Sequence, residues 1–274
     1  MQPRFDAIVL AGYDPDQPHP LTAAQGEPHK ALLTVAGRPM IDYVIEALVH
    51  SGQIDQIVIA GLEPQPSLDT LAQGGACRLH YLPNQPTLFA NAYQAFEHLA
   101  RLGDPDRHAL LVSADVPLLT DAMVVAFLEA CRPYDHDAYW GIVERGVMEA
   151  TFPGSRRTYL RLVEGQFCNG ELYLARISAA LRQREEVREL VELRKHITRQ
   201  VRKLGWGVLL RFLFRRLRIV DLLDTAQRLL GVSAAPVILP FAESGMDVDK
   251  PHQLAQVETY LRRQAAAGAS RPHA

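Results

Sequence analysis

Residues 109–120 read Ala109-Leu-Leu-Val-Ser113-Ala-Asp115-Val-Pro117-Leu-Leu-Thr120. The apolar run Ala109 to Val112 has the length and composition of a strand buried on both faces. Pro117 cannot donate to a strand ladder, so pairing stops there and Asp115 is left at the carboxyl end of the strand. In open α/β sheets ligands gather at that end. A single carboxylate placed there suits a hard cation such as Mg²⁺, which takes oxygen ligands. The competing role is a cap for the helix that follows, for which Thr120 is also a candidate.

Working outward, the same pattern repeats. Ala7 to Leu10, Ile57 to Ala60, Cys77 to Leu82 and Leu110 to Val112 read as short strands, ended by Gly12, Gly61, Pro83 and the Asp115 segment. Between them, Met40 to His50, Thr87 to Arg101 and Asp121 to Cys131 place apolar residues at helical spacing. Strands alternating with helices predict an α/β fold: a three-layer α/β/α arrangement around a mostly parallel, Rossmann-like sheet. After about Asp137 the pattern changes. Ala138 to Val143 reads as a strand. Thr158 to Val163 and Glu171 to Ala175 read as strands with turns at Glu164-Gly165 and Asn169-Gly170. A long helical stretch, Ser178 to about Leu230, is expected to break near Gly205 and Gly207. Val237 to Leu239 and Pro251 to Gln264 read as a last strand and a last helix with proline in its first turn. The expected organisation is a single domain over 1–264 with a basic helical insertion at 176–232 and a disordered tail at 265–274.

The chain has 274 residues, 48% hydrophobic and 22% charged, with a net charge of −2. That balance gives no reason to expect a nucleic-acid partner. The charge is nevertheless uneven: Arg176 to Arg218 holds 13 Lys/Arg against 4 Asp/Glu, a net of +9. Cys77, Cys131 and Cys168 are odd in number and widely spaced, which suits neither a disulfide framework nor a zinc site and fits a reducing cytosol. The N-terminal residues run straight into a strand, so no signal peptide is expected and the expected location is cytoplasmic. No stretch reaches 18 apolar residues, so no spanning helix is expected.

Two further segments can carry chemistry. After the first strand, Gly12 permits a sharp turn whose backbone amides can cradle phosphate, and Lys30 offers a point charge to a polyphosphate. The loop 13–29 carries four prolines, Pro15, Pro18, Pro20 and Pro28. No P-loop and no G-x-G-x-x-G is present. Near the C-terminus, Asp247 and Asp249 stand two apart in an extended segment and can point the same way. They can complete a metal site with Asp115; alternatively Asp249 caps the last helix.

Taken together these segments resemble the nucleotidyltransferases with a MobA-like NTP transferase domain, of GT-A type. The resemblance rests on Ala7-Ile-Val-Leu-Ala-Gly12, Lys30-Ala-Leu-Leu, Gly37-Arg38-Pro39-Met40-Ile41, Ser113-Ala-Asp115-Val-Pro117-Leu-Leu and Asp247-Val-Asp249-Lys-Pro251-His-Gln-Leu254, in order over roughly residues 5–260. The hairpin Arg157-Thr-Tyr-Leu-Arg-Leu, the Asn169-Gly170 turn and the later helices resemble a bacterial branch of that family. The resemblance implies transfer of an NMP from an NTP to a small phosphorylated or hydroxylated acceptor, with release of pyrophosphate. It implies Mg²⁺ on Asp115 and Asp249 with Asp247 beside them, and Lys30 on the β- and γ-phosphates. It places Leu10, Ala11 and Gly12 near the base, and Asn91 as a base or ribose contact. Arg156, Arg157 and Lys250 are candidates for the acceptor. Two departures stand out: Tyr13 replaces the family's second glycine, and residues 14–29 hold no arginine, leaving His19, His29 and Lys30 as the loop's basic groups. A GT-A glycosyltransferase and a nucleotide-binding regulatory module without catalysis are the alternatives.

In the basic stretch, Trp206, Leu209, Leu210, Leu213, Phe214 and Leu217 form one helical stripe, interleaved with Arg211, Arg215, Arg216 and Arg218. Such a segment, 204–218, can pack onto the protein, form a dimer contact, or lie on an anionic membrane surface and meet a lipid-linked acceptor. The oligomeric state is open.

Overall fold

Alternation along three neighbouring strands sets the layers. β1 (Phe5–Leu10) lies between β4 (Ile54–Ala60) and β6 (His108–Ser113), parallel to both. Ala7, Val9, Ile57, Ile59, Leu110 and Val112 enter one core, while Ile8, Val58, Ala60 and Ala109 enter a second on the other face. Successive side chains of a strand point to opposite faces, so a strand apolar at every position needs helices on both sides. The first core is closed by α2 (Met40–His50), α3 (Pro66–Gln73) and α5 (Asp121–Ala130), the second by α4 (Leu88–Leu102) and α7 (Ile177–Arg182). The fold is therefore the three-layer α/β arrangement expected. This computed structural model describes residues 4–14, 19–75, 77–184 and 206–269.

The main sheet runs β10-β7-β9-β6-β1-β4-β5, with β5 (Arg78–Leu82), β7 (Ala138–Glu144), β9 (Gln166–Arg176) and β10 (Ala234–Leu239). β9 is antiparallel to both β6 and β7, and β8 (Leu160–Arg161) pairs with β9 as a short hairpin arm. A second small sheet, β2 (Thr34–Val35) with β3 (Arg38–Pro39), follows the short helix α1 (Pro20–Gln25). The loop expected at 13–29 thus contains a helical turn, capped by His19, whose Nδ1 accepts from Leu21 N–H.

Three expectations change. Glu164-Gly165 does form the turn, closed by Leu162 N–H to the Gly165 carbonyl at 2.8 Å. Asn169-Gly170 does not: β9 continues through it, and the register against β7 shifts between Trp140 and Ile142. The signal for a turn was real, because Glu171 has φ 52, but the chain uses it for a bulge. Gly170 is needed there: a Cβ would come within 3.0 Å of the Gly141 backbone.

Within the described residues the helical stretch breaks at a place not expected. α8 (Trp206–Leu213) contains Gly207, and the chain turns at 214–218 before α9 (Ile219–Leu230). Arg215, at φ 56, makes the turn, and Leu217 is buried beneath it. The expected apolar stripe is thereby split, Leu217 facing inward and the rest remaining on α8 and its end. Residues 185–205 of the basic insertion, Gly205 among them, lie outside the described residues. α10 (Pro251–Ala269) takes in the first half of the tail expected to be disordered from 265; residues 270–274 are outside the described set.

Candidate active site

Two loop ends meet at the carboxyl end of β6. Asp115 follows β6, and its carbonyl accepts from Val248 N–H at 3.0 Å. That single backbone bond sets Asp247 and Asp249 beside Asp115. One carboxylate oxygen from each of the three lies within 4.8 Å of the others. The competing roles as helix caps fall away. α5 is capped by Thr120, whose hydroxyl accepts from Met123 N–H at 3.3 Å. At α10 the Lys250 carbonyl takes the first bonds, from Gln253 and Leu254 N–H, while Asp249 N–H donates to Gln253 Oε1 at 3.0 Å.

Lys30 closes the cluster. It sits on a single 3-10 turn, and its Nζ donates to Asp115 Oδ2 and Asp249 Oδ1. Burial works against its charge, but the two carboxylates outweigh it and hold the ammonium above the usual lysine range. Asp249 shows the converse: burial would raise its pKa, and Lys30 brings it below the ordinary value. Asp247 is pushed above the ordinary carboxylate range by burial, opposed by its ion pair with Arg157 and reinforced by the negative charge of Asp115 and Asp249.

A fourth carboxylate escaped the sequence reading. Glu171 stands on the β9 bulge and accepts from Asn169 Nδ2 at 2.6 Å. Burial, with Asp247 and Asp115 nearby, pushes it up to about 7. Asn169 in turn accepts from Trp140 Nε1 at 3.2 Å. Only the Asn169-Gly170 pair pointed to this position, and a turn and a bulge share that signal.

The cluster has the chemistry of a hard-cation site. Its donors are all carboxylate oxygens, and Asp115 Oδ1 is buried with no hydrogen-bond partner. A carboxylate oxygen so placed is costly unless a cation meets it. Asp115, Asp247 and Asp249 therefore fit a Mg²⁺ ion.

The loop after β1 is built differently from the expectation. Ala11 N–H is used by the Ala60 carbonyl at 2.9 Å. Asn84, absent from the sequence reading, clamps Tyr13 from both sides, donating to its carbonyl at 2.8 Å and accepting from its N–H at 3.3 Å. Asn91 is 1% exposed. Its amide accepts from Gln85 N–H at 2.9 Å and donates toward Asn84 Oδ1 and the Gln85 carbonyl, both at 3.2 Å. Those bonds hold the loop. A Cβ on Gly12 would overlap the Asn91 amide, which is why glycine stands there. Tyr13 packs edge-on against His29, ring centroids 4.3 Å apart. Residues 15–18 of this loop are outside the described set.

The acceptor candidates separate. Arg157 is nearly buried and paired with Asp247, whereas Arg156 is exposed at φ 55 and Lys250 is exposed at the start of α10.

Comparison with known proteins adds the chemical context. The family model for the MobA-like NTP transferase domain matches residues 7–203. A solved structure described as a hypothetical transferase from Thermus thermophilus is 34% identical, with a TM-score of 0.77 over 92% of this chain and 99% of that one. The CTP complex of CMP:2-keto-3-deoxy-manno-octonic acid synthetase aligns at TM-score 0.58 and 14% identity, over 95% and 99% of the two chains. A nucleotidyl transferase from Methanothermobacter thermautotrophicus aligns at 0.54 and 17%, over 95% and 99%. These two share the fold. Among curated proteins, the bifunctional protein GlmU of an Exiguobacterium species is 32% identical over 126 residues, 46% of this chain but 25% of that relative. The chain thus matches about a quarter of that relative's length.

Proposed function

We propose that this chain, which belongs to the MobA-like NTP transferase domain family, transfers an NMP from an NTP to a small acceptor and releases pyrophosphate. The observation that carries this reading is the cluster of Asp115, Asp247 and Asp249 with Lys30 bridging two of them. Four carboxylates, counting Glu171, face one ammonium and one guanidinium, so the site holds more negative than positive charge and favours a cation. A Mg²⁺ ion held by Asp115, Asp249 and Asp247 would neutralise charge on the phosphates during transfer.

The chain's own residues do the rest. An acceptor oxygen attacks the α-phosphorus, the bond to the α–β bridging oxygen breaks, and pyrophosphate leaves with the electron pair. Such a reaction depends on positioning and on charge stabilisation rather than on covalent help from the protein. Lys30 stands at the metal end of the loop that follows β1. A cation held by Asp115 and Asp249 would leave the Lys30 ammonium free to meet the β- and γ-phosphates. Asn84 and Asn91 keep the backbone of Gly12 and Tyr13 in place for the nucleotide. Arg157 holds Asp247 in position, and Arg156 and Lys250 are the exposed cations available to the acceptor. The catalytic unit is residues 1–264, with 176–232 inserted. The three free thiols support a reducing, cytoplasmic setting.

A thermal-shift panel of NTPs, with and without Mg²⁺, tests the reading and names the base, because a ligand that binds only the folded state raises Tm by mass action. One NTP shifting Tm only when Mg²⁺ is present is the expected result. No shift with any NTP and Mg²⁺ would remove the reading.

A further inference from the structure

The exposed apolar surface is concentrated in one place. Ten large apolar side chains stand out into solvent among the described residues. Six of them, Trp206, Leu210, Phe212, Leu213, Phe214 and Val220, lie on α8, the turn after it and the start of α9. Trp206 is 68% exposed, Leu213 70% and Phe214 67%. The same segment carries Arg211, Arg215, Arg216 and Arg218, all exposed, and no acid. Arg211 is paired with Asp221, while Arg215 and Arg216 make no ion pair among the described residues.

This face is held in place from beneath. Leu217 is buried, its carbonyl accepts from Val163 N–H at 2.9 Å, and Glu164 accepts from Ile219 N–H. The anchoring comes from the β8–β9 turn. It leaves the aromatic and aliphatic side chains facing outward with arginines between them. A contiguous exposed apolar patch marks an interface. Arginine heads alternating with Trp, Phe and Leu match the boundary of an anionic bilayer, where phosphates meet hydrocarbon. No helix of the described residues is long and apolar enough to cross a membrane, so the match is to lying on the surface.

A cavity of about 270 Å³ lies behind the patch, lined by Phe212 and Ile219 and by Trp140, Leu160, Phe167 and Asn169. Its lining is almost wholly apolar. Asn169 is also the residue that binds Glu171 in the acidic cluster. The cavity therefore joins the exposed apolar segment to the strand that carries part of the site.

We infer that Trp206–Val220 seats the protein on an anionic lipid surface, and that the acceptor is a phosphate-headed lipid of that surface. The head phosphate would supply the attacking oxygen and the cavity would take the first part of the hydrocarbon. The acceptor half of this inference rests on the nucleotidyl-transfer reading; the docking half does not.

Flotation of the full chain with vesicles, in EDTA and without nucleotide, tests docking alone. Phosphatidylcholine vesicles containing phosphatidylglycerol should retain the protein about tenfold or more above phosphatidylcholine alone, less so at high salt. The pairs Leu213→Ser with Phe214→Ser, and Arg215→Gln with Arg216→Gln, should each lose retention at unchanged Tm. Protein that stays in the buffer with anionic vesicles overturns the inference. So does a dimer that the Leu213/Phe214 pair dissolves while vesicles are ignored, which would make a second copy the occupant. A second arm supplies NTP and Mg²⁺ with vesicles containing phosphatidic acid, or with soluble phosphate esters. Pyrophosphate release at least tenfold faster on the vesicles is expected. Faster release with a soluble ester overturns the lipid acceptor and leaves nucleotidyl transfer standing. An absence of Mg²⁺-dependent NTP binding removes the functional reading and the lipid acceptor with it, and leaves the flotation result to decide docking.

Discussion

The two edges of the sheet each gather charge around β1, β4 and β6, and they solve the problem in opposite ways. At the amino end, Arg4 pairs with Asp55, and Arg107 lies 3.0 Å from Asp55 and 3.6 Å from Asp6. Two arginines meet two aspartates, and Arg107 also donates to the Arg4 carbonyl at 2.8 Å. At the carboxyl end, Asp115, Asp247, Asp249 and Glu171 share Lys30 and Arg157. The first cluster is electrically closed and ties three strands together. The second is held together although its charges do not cancel, the excess of negative charge on which the proposed cation site rests.

Substitutions should separate the two edges. The largest effect is expected from Asp115→Asn with Asp249→Asn: pyrophosphate release falls by about 10³-fold, in the range seen when a transition-state stabiliser is removed, while the melting temperature does not fall. Wild-type turnover in that double variant would refute the metal assignment. Next is Glu171→Gln. Its folded pKa is raised above that of the unfolded chain, so the stability associated with its protonated form is present at low pH and lost as pH rises to about 7. In EDTA at pH 8 the Gln variant should therefore be more stable than wild type by about 1–2 kcal/mol, with the gain vanishing below the ordinary Glu range. Equal denaturation midpoints at pH 8 would show that Glu171 is not under this strain.

The opposite edge should respond in stability alone. Asp55→Asn leaves Arg4 and Arg107 with a weaker partner and is expected to cost about 1 kcal/mol, since these groups are partly exposed. The transfer rate should stay within about twofold of wild type, well short of the loss expected at the carboxyl edge. The smallest effect concerns His108, at the start of β6, buried with Nε2 donating to the His136 carbonyl at 2.8 Å. Burial holds its pKa below the ordinary value. Stability from its neutral form is present above about pH 6.5 and is lost as pH falls. His108→Asn should flatten that acid decline by about 1–2 °C in Tm. A wild-type melting temperature insensitive to His108 between pH 6.5 and 5 would contradict the assignment. Acidification thus acts on stability in opposite directions through Glu171 and His108.

The parallel half of the fold was legible because β1, β4 and β6 each carry a run of consecutive apolar residues, a pattern that a sheet covered on both faces explains. Gly61 and Pro83 marked where two of those strands end, and Asp115 marked the third. The cluster of Asp115, Asp247, Asp249 and Lys30 was legible as residue types at strand ends. Asn91 was not, since an amide that holds a loop and one that binds a ligand look alike in sequence. Glu171 was hidden behind Asn169-Gly170, a pair that serves a turn or a bulge equally well. The break at 214–218 was missed because Arg215 makes it, without a glycine or proline to announce it.

What the chain's sequence determined by itself is therefore local and periodic: which segments bury both faces, which end abruptly, and which acids and bases stand at those ends. What only the tertiary structure decided is which ends meet. The bond from Val248 to Asp115 joins segments more than a hundred residues apart. Lys30 crosses to both Asp115 and Asp249, and a bulge in β9 brings Glu171 into range of them. Periodicity records how a segment buries its own surface; the excess of negative charge at one edge arises from contacts across the sheet, and no single stretch of sequence contains it.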